Sequence, residues 1–338
     1  YNTEPDVLEG GEKSRFLLQL TMLKQPNHNI KELIASPYTE IKNKPLQHIK
    51  KDAALAQTLL DCAEKGFSPS SLVSYIRNPI DFYLQTVLKI NLSEEIEENI
   101  AANTMGTIVH KVLEELYTPL IGAYLSEAHL KKCFNLIDVL VEKYFKEEFK
   151  DGAYKNGKNL ISFTVIKRYI QNFLMFELER IKTGAQIKIL AIESPHKVLL
   201  PIHEIASPVY LKGTVDRIEE VDGVVHILDY KTGRVEQNDL QIKDWEGLIE
   251  NYKLSKAFQV LCYAYMYKKS VKSPIQSLCA GVISFKNLNS GVLHFMDKSS
   301  AEKNAVISQE TLNAFEGMLK GLIIEILSSE VPFEEKPV

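Results

Sequence analysis

The chain has 338 residues, 45% of them hydrophobic and 25% charged, with a net charge of −4 and four cysteines. That is enough for one large domain or two ordinary ones of average soluble composition. It contains no apolar run of the ~18 residues a membrane span needs. Cys62, Cys133, Cys262 and Cys279 lie far apart, which argues against a zinc knuckle or a secreted disulfide framework and makes the cytoplasm the expected compartment.

The chain opens Tyr1-Asn-Thr-Glu-Pro, with no Met and no charged-then-apolar leader, as an excised piece of a longer protein would. Residues 1–60 read as an approach segment and 61–338 as the principal domain. Gly11-Glu-Lys-Ser14 lacks the full phosphate-loop spacing, so no ATP site is expected. Ser68-Pro69 marks a helix start, with Ser68 as N-cap and Pro69 in the first turn. Asn78-Pro79 interrupts, and Ile80 to Leu88 resumes a helical pattern. Helices are expected over Thr104–Leu116, Leu130–Phe149 and Val165–Ile181. The period then shortens to two, with strands over 187–200, 209–221 and 224–230. A long loop at 232–254 precedes a helix over 256–267, strands over 277–285 and 291–295, and a last helix over 311–327. This order predicts an α/β fold, a mixed central sheet flanked by helices with a helical N-terminal extension.

The chemistry concentrates around Asp222-Gly223, a strong two-residue hairpin signal. Partners across such a turn sum to 445 in residue number, so Asp216 faces Asp229 and Thr214 faces Lys231. Residues two apart share a face, which sets Asp216, Asp229 and Lys231 on one side. Opposed carboxylates destabilise a sheet unless a cation sits between them. A hard divalent ion, Mg²⁺ or Mn²⁺, suits such a pair together with water and phosphate oxygens. The plain alternative is a solvent-facing hairpin, but Val224, Val225, Ile227 and Leu228 describe a strand covered on both faces. His110 and Glu114 share a helical face, as do Gln259 and Tyr263, and Arg234 follows the strand as a candidate phosphate contact.

Asp216 and the Asp229-Tyr230-Lys231 triplet resemble the two acidic motifs of the PD-(D/E)XK nuclease superfamily, with its restriction-endonuclease-like core. The likeness narrows to the RecB/AddB-like branch through Gly106-Thr-Ile-Val-His110, Gln259-Val-Leu-Cys-Tyr263 and Glu193 on the preceding strand. Together these pieces cover roughly residues 67 to 296. The resemblance implies metal ligands at His110, Asp216, Asp229 and the Tyr230 carbonyl. It makes Lys231 the residue that orients the attacking water or stabilises charge on the phosphate. Glu193 is either a water-mediated metal contact or a strand-edge cap, and Glu114 a group that orients His110. Gln259 and Tyr263 would contact the DNA backbone or Lys231, while Gly106 would let backbone pass close by.

Some members carry an iron–sulfur cluster whose first cysteine precedes the proline at position 79; here that residue is Asn78, and no cluster is expected. Gly11 to Leu20 resembles the end of a superfamily-1 helicase core. The implied function is a metal-dependent deoxyribonuclease on single-stranded DNA, working with a helicase subunit or region in break repair. Two rivals remain: an inactive nuclease fold that holds DNA or a partner, and an unrelated Mg²⁺ enzyme on phosphate esters.

Overall fold

A computed structural model describes residues 14–23, 25–31, 33, 46–90, 100–149, 157–271, 275–299 and 305–337. The chain divides into two compact units, 1–45 and 46–338. In the first, Ser14 caps helix α1 (Arg15–Met22) by accepting a hydrogen bond from the Leu17 N–H. Gly11 to Lys13 of the helicase-like stretch lie outside the described residues.

The second unit begins with β1 (His48–Ile49), α2 (Ala53–Lys65) and α3 (Pro69–Arg77). Thus position 60, where the sequence suggested the approach segment ends, falls inside α2, whose Leu59 and Ala63 are buried in the core. Ser68 and Ser71 cap α3 reciprocally and Pro69 fills its first turn, as the sequence reading had it. Asn78 leaves helical geometry, ends α3, and accepts from Ile80 N–H to start α4 (Pro79–Phe82). That helix widens into a π-turn over Tyr83–Val87 instead of running on as a regular helix. Three long helices follow: α5 (Ala102–Tyr117), α6 (Glu127–Glu148) and α7 (Gly157–Lys182).

Next come β2 (Ile187–Leu200), β3 (Val209–Val221) and β4 (Val224–Lys231). The stretch read as a long loop after β4 is built up instead. It holds a short helical turn Gln237–Leu240, β5 (Gln241–Ile242), α8 (Glu246–Glu250) and another turn before α9 (Ser255–Ser270). The chain closes with β6 (Leu278–Ser284), β7 (Leu293–His294), β8 (Met296–Asp297), α10 (Gln309–Leu327) and β9 (Phe333–Glu334). The strand expected over 291–295 is only two residues long.

The main sheet has the order β2-β3-β4-β6-β7, with β4 and β6 parallel and every other pairing antiparallel. This is the mixed α/β sheet flanked by helices that the sequence implied, and it matches a restriction-endonuclease-like fold. Asp222 and Gly223 take positive φ, 50° and 86°, as a two-residue hairpin turn requires. Val221 pairs with Val224 and Ile218 with Ile227, the register of a sum of 445. On one face α2, α3, α9 and α10 bury Leu59, Phe258 and Phe315 with Ile227; on the other α5, α6 and α7 bury Val109, Ile137 and Phe173 with Leu228 and Tyr230. Strand β4 is therefore covered on both faces, which explains its run of apolar residues. Lys51 locks the two ends of this unit together: its ammonium donates to the carbonyls of Glu325, Ile326 and Ser328, which α10 leaves without helical partners.

Candidate metal centre and cleft

The β3–β4 ladder stops at the Arg217–Leu228 pair, one step short of the two acids. The Asp216–Asp229 and Thr214–Lys231 oppositions expected from the turn are not ladder pairs. Instead Asp216 Oδ2 accepts a hydrogen bond from the Tyr230 N–H at 2.7 Å, so a side chain replaces the backbone partner and the strands part. Two carboxylates close together are better separated than held in a tight ladder. Asp229 Oδ2 forms an ion pair with Lys231 Nζ at 2.7 Å.

Glu193 comes from β2. The flanking pairs Ile192–Arg217 and Ser194–Val215 set it opposite Asp216, and its backbone adopts φ 44°, a left-handed conformation rare outside glycine. Such strain persists only where the surroundings demand it and is concentrated at functional sites. The demand here is the placement of its carboxylate. From α5, His110 Nδ1 lies 3.4 Å from Glu193 Oε1 and 3.6 Å from Asp216 Oδ1, while Nε2 lies 3.3 Å from the Tyr230 carbonyl. Donor atoms of His110, Glu193 and Asp216 all fall within 4.8 Å of one another. Oxygen and imidazole ligands at that separation fit one divalent ion, whose bonds of about 2.0–2.2 Å would draw them slightly inward.

The electrostatics fit the same ion. Burial, then the charge of Asp229, pushes the Asp216 carboxyl up to about 7. Burial pulls on the His110 imidazole, but its hydrogen bond to Glu193 and the charges of Asp216 and Asp229 raise it on balance. Lys231 behaves alike: burial lowers it, and Asp229 more than restores it. Three acids, Glu193, Asp216 and Asp229, offset by one ammonium and one imidazole are a cluster short of positive charge.

His110, Glu193, Tyr230 and Lys231 edge a cleft of about 490 Å³, lined also by Asn103, Thr107 and Thr232, with Asp216 and Asp229 buried behind its wall. Glu114 also lines it but makes no hydrogen bond to His110 among the described residues; Glu193 is the acid at Nδ1. No backbone presses on Gly106, since a Cβ there would meet only Thr232 Oγ1 at 3.6 Å, an ordinary contact. Gln259 donates to Tyr263 Oη at 3.0 Å instead of reaching Lys231. Tyr263 sits near both aspartates: burial first, then Asp229, raises its phenol. Arg234 is set apart from the group, 74% exposed and paired with Glu236 at 3.1 Å.

Behind the site lies a network that sequence reasoning missed. Arg217 is fully buried, bonds Glu177 Oε2 at 2.7 Å, pairs with Glu219, and donates to the Tyr230 hydroxyl at 3.4 Å. Arg180 completes it at 2.7 Å from Glu177 and 2.8 Å from Glu219. The available signal was Glu177 itself, a charge set among Phe173, Leu174, Phe176 and Leu178 of α7.

The profile of the PD-(D/E)XK nuclease superfamily matches residues 66–337, most of the chain. The chain belongs to this superfamily. Membership points to a metal-dependent nuclease, since enzymes of the superfamily use divalent metals. Similar curated proteins are uncharacterized ones from Rickettsia conorii, 26% identical over 182 residues (50% of this chain, 19% of the relative), and Rickettsia typhi, also 26% over 182 residues (50% and 18%). One from Rickettsia bellii is 23% identical over 219 residues (58% and 23%). The matched part thus amounts to about a fifth of each relative's length. Among the described residues no helix is long and apolar enough to cross a membrane.

Proposed function

We propose that this chain is a RecB/AddB-like nuclease module of a larger helicase–nuclease protein, cutting phosphodiester bonds of single-stranded DNA with Mg²⁺ or Mn²⁺ during cytoplasmic DNA break repair. The observation that carries the reading is the convergence of His110, Glu193 and Asp216 from three separate elements, with His110 and Glu193 opening onto a cleft that Lys231 also lines. Those three residues, with Asp229 and the Tyr230 carbonyl close by, would hold the ion. When bound, it supplies Lewis acidity that polarises a phosphoryl oxygen and lowers the pKa of water toward neutrality. Lys231, steered by Asp229, orients the attacking water and stabilises charge that develops on the phosphate. Asp229 in this role is a partner of the amine as well as a ligand. Tyr263, steadied by Gln259, faces the aspartates from the other layer and bounds the site on that side. Arg234, at the solvent edge, would exchange Glu236 for a phosphate.

The test is cleavage of end-labelled single-stranded DNA with Mg²⁺, Mn²⁺ or EDTA, beside Asp229→Ala and Lys231→Ala. Metal-dependent cutting that falls by roughly 10²–10³ in Lys231→Ala is the expected result. Binding without cutting, or turnover of small phosphate esters alone, overturns the reading.

A further inference from the structure

The β2–β3 hairpin continues past the acids, and there it opposes two like charges. Lys197 and Lys212 are direct partners in the register and both are exposed. Like charges placed directly across a strand pair destabilise it, so the arrangement calls for a compensating anion. Val198, Leu211 and Val215 of this arm turn into the core shared with α2 and α9, whereas Pro195, Lys197, Lys212 and Thr214 are exposed on the opposite face. That opposite face is the side of the sheet on which α5 supplies His110.

The surroundings add charge of the same sign. The Lys197 ammonium crosses above the Tyr210 ring, 4.4 Å from its centroid, to reach the Glu64 carbonyl at 3.3 Å. Lys212 lies along Gly66 at the end of α2. Burial lifts the Cys62 thiol; Lys65, Lys89 and Lys212 are near enough to oppose it, and Asp61 acts with the burial. Among the described residues no carboxylate forms an ion pair with Lys65, Lys89, Lys197 or Lys212. Some lysines elsewhere on the surface are paired, as Lys111 is with Glu148 and Lys143 with Glu115. In an acidic chain, four neighbouring amines with no carboxylate partner among the described residues make a local anion site.

Resting on the nuclease reading above, we propose that Lys197 and Lys212, flanked by Lys65 and Lys89, grip the backbone of the substrate strand outside the cleft. Lys197 and Lys212 are four residues beyond Glu193 and Asp216 on their own strands, roughly 13 Å at ~3.3 Å per residue. A strand whose scissile phosphate sits at the acids would thus meet these amines a few phosphates away. Lysine contacts of this kind set affinity and register without reading sequence.

The experiment compares the wild-type chain with Lys212→Ala, Lys212→Glu and the Lys197→Ala/Lys212→Ala double variant. It measures anisotropy of a labelled single strand in Ca²⁺ across a salt series, and KM and kcat in Mg²⁺. The expected result is a salt slope shallower by about 0.7 per lysine removed, as for a lost phosphate contact on a single strand. KM on a long strand should rise several-fold with kcat held, most in Lys212→Glu, and the rise should be much smaller on a strand too short to span the distance. Thermal melts at or above wild type verify folding, since an opposed pair has been relieved. Variants that bind and cut like wild type, or lose kcat equally on long and short strands, overturn the grip and leave the nuclease reading standing. A wild-type chain that neither binds nor cuts any strand overturns both.

Discussion

Asp216→Asn should stabilise the metal-free protein while abolishing its response to metal. Asp216 is 7% exposed and shares its pocket with Asp229 and Glu193, so its ionised form is costly in the fold. Its carboxyl rises from 3.8 to about 7, chiefly through burial and secondly through Asp229. Because the folded state holds the proton more tightly than the unfolded one, stability falls as pH rises from the unfolded value through the folded one. About three units at 1.36 kcal/mol each sets an upper bound on the order of 4 kcal/mol above pH 7, and nothing below pH 4. Asparagine keeps an acceptor for the Tyr230 N–H and removes the charge, so about 2–4 kcal/mol should be recovered. Urea denaturation in EDTA at pH 8 and pH 4 measures this: the variant should be the more stable at pH 8, and the two should converge at pH 4. Manganese at about a hundred times its Kd should then add roughly 2.7 kcal/mol to the wild type and little to the variant. A variant that is less stable at pH 8 in EDTA, or that gains as much from manganese, refutes the reasoning.

Arg217→Met should cost about 3–5 kcal/mol in urea denaturation, because Glu177 and Glu219 are then left buried with Arg180 alone; a loss below about 1 kcal/mol would mean those carboxylates find water. His294, whose Nε2 lies 3.1 Å from His226 Nδ1, is pulled down to about 4 by burial and then by its neighbour. The unfolded chain therefore takes up the proton first, and stability present above pH 6.5 is lost as pH falls toward 4. Relative to His294→Gln, the wild type should lose on the order of 3 kcal/mol across that window; parallel pH curves for the two proteins would contradict it.

The hairpin was legible because its signals are local: Asp222-Gly223 fixes the turn, and the alternation on either side fixes the faces. Helix ends were legible for the same reason at Ser68-Pro69 and Asn78-Pro79, where capping chemistry is written in adjacent residues. What stayed hidden depends on long-range geometry. Ladder closure at Arg217–Leu228 follows from the Asp216 side chain taking the Tyr230 N–H, which no spacing rule reveals. The left-handed backbone at Glu193 accompanies a contact with His110, on a helix more than eighty residues earlier in the chain, which strand periodicity does not show. Arg217 pairs with Glu177 forty positions away, across from a helix that reads as ordinarily amphipathic. Arg234, named a candidate phosphate contact because it follows the motif, lies exposed and paired with Glu236, a partner two residues on that adjacency to the motif did not suggest.

Whether His110, Glu193 and Asp216 surround one divalent ion beside Lys231 can be seen by anomalous diffraction from crystals grown with Mn²⁺. An anomalous peak is expected about 2.0–2.3 Å from the His110 imidazole and the Asp216 carboxylate, lost in Asp216→Asn. A peak elsewhere in the molecule, in crystals whose protein cuts DNA, would contradict it.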